Sequence, residues 1–224
     1  LSAIFEFAVV RGLVEANPIP SLRGLLRVPF SESKAAMTRE QIQKFYQELR
    51  GYRGYPETSL CLRLIALTAC RPGEAADAEW AEFDFEDALW RRPAAKMKAR
   101  RDHVSPLSVQ AIAVLKDLQC ITGGGRYLFP HRSGKGFTTP NRLTYAMRDM
   151  NRGRGTTPHC WRTTFSTWAN ENGYRPDAIE RQLAHVESNK VRATYNKALL
   201  LDQRRTLLQD WADYLSAAEG SGTA

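Results

Sequence analysis

Residues 58–69, TSLCLRLIALTA, constrain the fold more than any other stretch of the chain. Apolar side chains point in nearly every direction around this helix, and a helix without a polar face must be surrounded by other elements. It reads as a central buried helix with neighbours on all sides. Periodicity locates those neighbours. Ile4, Phe5, Ala8, Val9 and Leu13 recur at helical spacing, and the pattern stops at Asn17-Pro18. Thr38 with Gln41 three positions on is a capping box that opens a helix to about Arg50. Further helices are expected over residues 108–121, 141–150, 159–172, 177–184, 189–200 and 203–217. FDFEDALWRRP and then HVSPL are short apolar runs broken by turn residues and read as three antiparallel strands, the last turn, KMKARRD, being almost entirely basic. The expected architecture is mainly α with one small three-stranded antiparallel sheet.

Residues 17–36 read as a connection between domains, 123–136 as a loop with a short extended piece, and 219–224 as a disordered tail. With 224 residues, 43% of them apolar, the chain can bury one domain, or one domain and a fragment of another. Leu1 opens an amphipathic pattern with no initiating Met, so the numbering is expected to begin inside a longer protein. No apolar run approaches the roughly 18 residues that span a bilayer, and no leader pattern is present, which implies a soluble intracellular protein. Cys61, Cys70, Cys120 and Cys160 are far apart with no CxxC pair, and are expected as reduced core thiols. Four histidines and no tight carboxylate cluster argue against a metal site, which needs three or four convergent ligands.

Formal net charge is +8, unevenly spread. Residues 74–87 hold Glu74, Asp77, Glu79, Glu82, Asp84, Glu86 and Asp87; residues 91–101 hold Arg91, Arg92, Lys96, Lys98, Arg100 and Arg101. A second basic set is Arg126, Arg132, Lys135, Arg142, Arg148, Arg152 and Arg154. Such clustering is an electrostatic footprint for a polyanion, nucleic acid above all, against the plainer reading of solvated faces.

Two helix starts look built for an anion. In TACRPGEAADAEW, Pro72 suits a first helical turn and puts Arg71 at the helix mouth. In TTPHCWRTTFSTW, Thr157 can cap, Pro158 takes the first turn, and His159 and Arg162 follow on one face. Unpaired amides and partial positive charge at helix N-termini favour a phosphate, so two mouths each carrying an arginine would clamp one phosphate. The plain alternative for Arg71 is an ion pair with Glu74 one turn on.

Order and spacing add what the single pieces lack. QLAHVESNKVRATYNKA supplies His185 ten residues before Tyr195. Over about residues 34–218 the chain resembles the tyrosine recombinase family, the phage integrases and their relatives. RATYNKA followed by RRTLLQDWADYL looks most like integrases of the satellite-phage and genomic-island type. The resemblance implies a tyrosine recombinase catalytic domain over residues 34–218, preceded in 1–33 by the C-terminal remnant of a core-DNA-binding domain plus linker. Arg71 stands as the first family arginine, His159 and Arg162 as the HxxR pair, His185 as the third box and Tyr195 as the nucleophile. Lys98, on the basic turn eight residues before Pro106, falls where the family's catalytic lysine would, with Lys96 as its competitor. Two positions depart from the pattern: Ala69 stands where a glycine is usual, and Thr163 where a second histidine is common.

What the resemblance implies is site-specific strand exchange through a 3′-phosphotyrosyl intermediate, integrating or excising a mobile element such as a prophage or genomic island. Its partners would be double-stranded DNA attachment sites, a tetramer of protomers on paired sites and DNA-bending accessory proteins, in the bacterial cytoplasm and with no membrane. The residue types fit that chemistry. A free phenol has a pKa near 10, so roughly one in a thousand is ionised at pH 7 and Tyr195 needs help. His159 is the candidate proton acceptor, the arginines stabilise charge developing on the phosphate oxygens, and His185 adds one donor. No metal and no nucleotide cofactor is required, because the phosphotyrosine retains the bond energy. The rival readings are a type IB topoisomerase-like enzyme, told apart by synapsis of two sites; a non-catalytic DNA-binding module, by failure to trap a covalent adduct; and a metal phosphoesterase, by loss of activity in chelator.

Overall fold

The structure, a computed structural model, describes residues 1–20, 35–150, 156–185 and 199–220. Backbone packing divides the chain into two compact units, Leu1–Ser33 and Lys34–Ala224. Among its described residues the first unit has one helix, α1 (Ser2–Val10), against which the Asn17 amide folds back to donate to Ser2 and Glu6.

The second unit is mostly helical with one small sheet. Its first helix, α2 (Arg39–Arg50), opens with the expected capping box, Thr38 Oγ1 accepting from the Gln41 amide while the Gln41 side chain accepts from the Thr38 amide. It buries Ile42, Phe45, Tyr46 and Leu49, the i, i+3, i+4, i+7 stripe of an amphipathic helix. The next helix, α3 (Pro56–Thr68), is the central one: Cys61, Leu62, Leu64, Ile65 and Ala66 are all fully buried. It is walled by four further helices introduced below and by the short α4 (Pro72–Ala76). Then come the strands β1 (Phe83–Asp84), β2 (Leu89–Arg92) and β3 (His103–Pro106), antiparallel in that order, with Phe83 opposite Trp90, Trp90 opposite Ser105 and Arg92 opposite His103.

Four further helices among the described residues sit on this frame. These are α5 (Val109–Thr122), capped by Ser108 Oγ on the Ala111 amide, α6 (Pro140–Met150), α7 (Cys160–Glu171) and α8 (Pro176–Gln182). The last, α9 (Leu201–Gly220), packs on α2, α3, α5, α7, α8 and β3. Helices α5, α6, α7 and α9 form the wall around α3.

Two expectations change. The helix expected from residue 159 starts at Cys160, because Thr157, Pro158 and His159 close a tight turn in which the Cys160 amide donates to the Thr157 carbonyl at 2.9 Å. The apolar stripe Leu207, Leu208, Trp211 and Leu215 of α9 is buried in its own domain. Within it the Trp211 indole donates to the Ala66 carbonyl at 2.8 Å. Cys61, Cys70 and Cys160 are buried thiols in no disulfide, whereas Cys120 is exposed on α5. The helix expected over 189–200 falls outside the described residues, except for 199 and 200, which are not helical.

Candidate active site

Three helix ends meet around one guanidinium. Arg162, in the first turn of α7 and only 5% exposed, donates through Nη1 to the Ala69 carbonyl at 2.8 Å, where α3 ends, and through Nη2 to the Leu183 carbonyl at 2.7 Å, where α8 ends. Nη2 also lies 3.1 Å from His185 Nε2. A guanidinium has five N–H donors, so among the described residues two remain for a ligand. Burial, and after it the charge of Arg71, lower the Arg162 pKa, a sign of cations gathered where they repel one another.

Arg71 precedes Pro72, and its Nη1 bonds Glu74 Oε1 at 2.8 Å while its Nη2 reaches the Ala184 carbonyl at 3.4 Å. The ion pair with Glu74, the plain alternative for Arg71, is therefore present, and it aims the guanidinium at the Arg162 cluster. Burial raises the Glu74 pKa, yet hydrogen bonds from the Arg71 backbone and side chain outweigh it and leave the carboxyl lowered. Since α4 is only five residues long, its dipole is small, and the side chains carry the positive field at this mouth.

Two alanines shape the cluster. Ala69 and Ala184 both adopt the left-handed region, φ 51° and 49°, and turn their carbonyls towards Arg162 and Arg71 respectively. The departure from glycine at residue 69 is absorbed by an alanine in a conformation that a Cβ disfavours by about 1 kcal/mol. His185 follows Ala184; its Nδ1 is 2.7 Å from Glu180 Oε2 and its backbone amide donates to the Glu180 carbonyl. A carboxylate on Nδ1 holds the proton there in the neutral ring, so Nε2 accepts from Arg162. Glu180 carries no motif signal, because a contact five residues apart across a helix end belongs to no periodicity.

The remaining expected residues divide. His159 is exposed at the start of α7, three residues before Arg162. Lys98 is exposed on the β2–β3 connection. Lys96 is not a free competitor: its ammonium donates to the Asp77 carbonyl at 2.8 Å, to Glu79 at 2.7 Å and to Glu82. Burial works against its charge, but the bonds from Glu79 and Glu82 win and raise its pKa, which makes it a reluctant acid. Tyr195 lies outside the described residues.

The charge clusters also part company. Arg91 pairs with Asp84 and Asp87, Arg92 with Asp77 and Glu82, and Arg126 with Glu79, so much of the acidic set neutralises the basic residues beside it. For buried Arg92 the charge is spent within the fold, whereas Arg91 and Arg126 stay exposed in surface ion pairs. Among the described residues, Lys98, Arg100, Arg101, Arg132, Lys135 and Arg148 are exposed and make no ion pair. Arg152 and Arg154 lie outside the described residues.

Residues 35–200 match the phage integrase family. The chain is 38% identical to prophage integrase IntZ of Escherichia coli, over 99% of this chain and 55% of IntZ. It is 35% identical to the integrase of enterobacteria phage P4, over 96% of this chain and 53% of that protein. The chain thus spans about half the length of these relatives. Among solved structures it resembles a lambda integrase tetramer bound to a Holliday junction, with a TM-score of 0.61 at 17% identity, over 84% of this chain and 57% of that one. At that identity the likeness concerns the fold, a tyrosine recombinase catalytic domain.

Proposed function

The chain belongs to the phage integrase family, and on that premise we propose that it cleaves and rejoins DNA strands site-specifically through a 3′-phosphotyrosyl intermediate. The Tyr195 phenolate attacks the scissile phosphorus, the bond to the 5′-oxygen breaks, and that oxygen leaves with a proton from Lys98. His159 takes the phenolic proton, and Arg71 and Arg162 hold the non-bridging oxygens where negative charge grows. Charge-assisted hydrogen bonds of this kind are each worth roughly 1.5–3 kcal/mol. His185, oriented by Glu180, adds a group at the same phosphate.

The observation that supports this reading best is the convergence of Arg71, Arg162 and His185 from three separate helix ends onto one partly open spot. A fold needing only stability does not gather two arginines whose charges repel. The contrast between a caged Lys96 and an exposed Lys98 favours Lys98 as the acid. Residues 34–218 are read as the catalytic domain and 1–33 as the end of a DNA-binding domain with its linker. By analogy with the lambda integrase tetramer, protomers of this protein assemble on paired DNA sites, with bending proteins assisting, in the cytoplasm of a bacterial host.

The test is a nicked trapping duplex whose cleaved end cannot religate. The protein should accumulate a covalent adduct in the absence of metal, and Tyr195→Phe should form none while keeping nearly unchanged DNA affinity. A phosphotyrosyl adduct on the Phe variant would sink the assignment.

A further inference from the structure

Arg204, in the first turn of α9, is fully buried, and its acceptors among the described residues are all neutral. Its Nε and Nη2 donate to Gln182 Oε1 at 3.1 and 2.8 Å, its Nη2 also to the Val104 carbonyl at 2.6 Å, and its Nη1 to the Leu199 carbonyl at 3.2 Å. Gln182, 3% exposed, passes the link on: its Nε2 donates to the Thr68 carbonyl at 3.0 Å and to Ser105 Oγ at 2.8 Å. One guanidinium and one amide therefore tie together α9, the end of α8, strand β3 and the end of α3.

Stability does not call for this arrangement. Sealing a cation among neutral acceptors is unfavourable, and an apolar side chain of similar volume commonly serves a core as well or better. What the planar fork supplies is direction, since several acceptors at set angles define where their chain segments lie relative to one another. The attachment points are not scattered. Thr68 lies three residues before Arg71, Gln182 three before His185, and Val104 and Ser105 belong to the strand that follows the turn holding Lys98.

We infer that Arg204 and Gln182 are positioning residues: a buried brace that sets the spacing of the segments carrying Arg71, Lys98 and His185 without itself meeting DNA. This rests on the strand-transfer reading given above. Misplacing catalytic groups by about 1 Å slows a reaction by about a hundredfold, so a loosened brace should show in the chemical step.

The test uses Arg204→Met, which fills the space without the fork, and Gln182→Glu, which keeps an acceptor for Arg204 but removes both donors to Thr68 and Ser105. Single-turnover adduct formation is followed at saturating DNA, with DNA affinity and thermal melting measured alongside. A positioning role predicts a rate constant lower by about a hundredfold at full reaction amplitude, with DNA affinity little changed. A purely structural role would instead lower the amplitude, as the folded fraction falls, and leave the rate constant alone; that result overturns the inference. If Arg204→Met does not fold, Gln182→Glu decides by the same criterion. Amide hydrogen exchange in the DNA-free protein separates the brace from the strand-transfer reading. Faster exchange in the variants, jointly at residues 69–74, at 183–185 and along β3, supports the brace even if wild type traps no adduct, whereas unchanged exchange there overturns it.

Discussion

Lys96 and Lys98 are two residues apart on the same basic turn and stand in opposite surroundings. Lys96 is held by Glu79, Glu82 and the Asp77 carbonyl, beside Arg92, which donates to Asp77 and lies over the Trp90 ring. Lys98 and its neighbours Arg100 and Arg101 are exposed, with no carboxylate on them among the described residues. The first half of the turn secures the sheet against α4 and the chain after it, and the second half is left with positive charge for something outside the fold. A run of like charges in a sequence is therefore not one feature. Its function depends on which members have already found a carboxylate.

The sharpest break between the two halves is expected from alanine or methionine replacements of the lysines. Lys98→Ala should slow adduct formation by about 10²–10⁴, the usual worth of a general acid, and leave thermal stability unchanged. Replacing the bridging 5′-oxygen by sulfur should restore most of the rate, since a thiol leaves without a proton donor. Lys96→Met should do the reverse, lowering stability by about 1–2 kcal/mol by taking one partner from the largely buried Glu82, which keeps the Trp90 indole and Arg92, with the rate constant nearly intact. Sulfur rescue of the Lys96 variant and none for Lys98 would move the acid two residues upstream.

Acid should act on the interior before it reaches the carboxylate cage. Burial first, then the charge of Arg204, opposed by Glu74 and reinforced by Arg92 and Arg71, push the His103 imidazole down to about 4. Its ordinary value is 6.5, so between the two the unfolded chain binds a proton that the folded chain refuses. Stability contributed by neutral His103 is thus complete above 6.5 and declines as pH falls towards 4, by up to about 3 kcal/mol. Hydrogen bonds from Arg126 and Lys96 hold Glu79 down to about 2, so its ion pairs are lost only in stronger acid. Denaturation midpoints measured from pH 7 to 4 should flatten in His103→Gln; an unchanged slope would assign the loss to other groups.

The smallest expected effect concerns salt. Each phosphate contact adds about 0.9 to the log–log slope of DNA affinity against salt. Arg100→Ala should reduce that slope by about one contact, and Arg91→Ala, already engaged with Asp84 and Asp87, should leave it in place. Equal slopes for both variants would show that local ion pairing does not separate the binding charges from the structural ones.

Much of this protein is legible in its sequence, because periodicity, caps and turn residues act locally. The all-round apolar pattern of residues 58–69 determined that a helix there must be central, Thr38 and Gln41 determined a helix start, and the broken runs of residues 83–107 determined a small antiparallel sheet. Ordered residues from Arg71 to Tyr195 determined the family. Contacts between distant segments were left to the tertiary structure, since no local rule specifies them. Only packing decided that Ala69 and Ala184 take left-handed turns to face the arginines, and that the α9 stripe is satisfied at home. Only packing turned the acidic run 74–87 onto Arg91, Arg92 and Lys96 and left Lys98 open, and only packing placed Arg204 between α8 and β3. The physical reason is the same in each case: a side chain's pattern says whether it will be buried, whereas which partner it meets depends on segments a hundred or more residues away closing into one core.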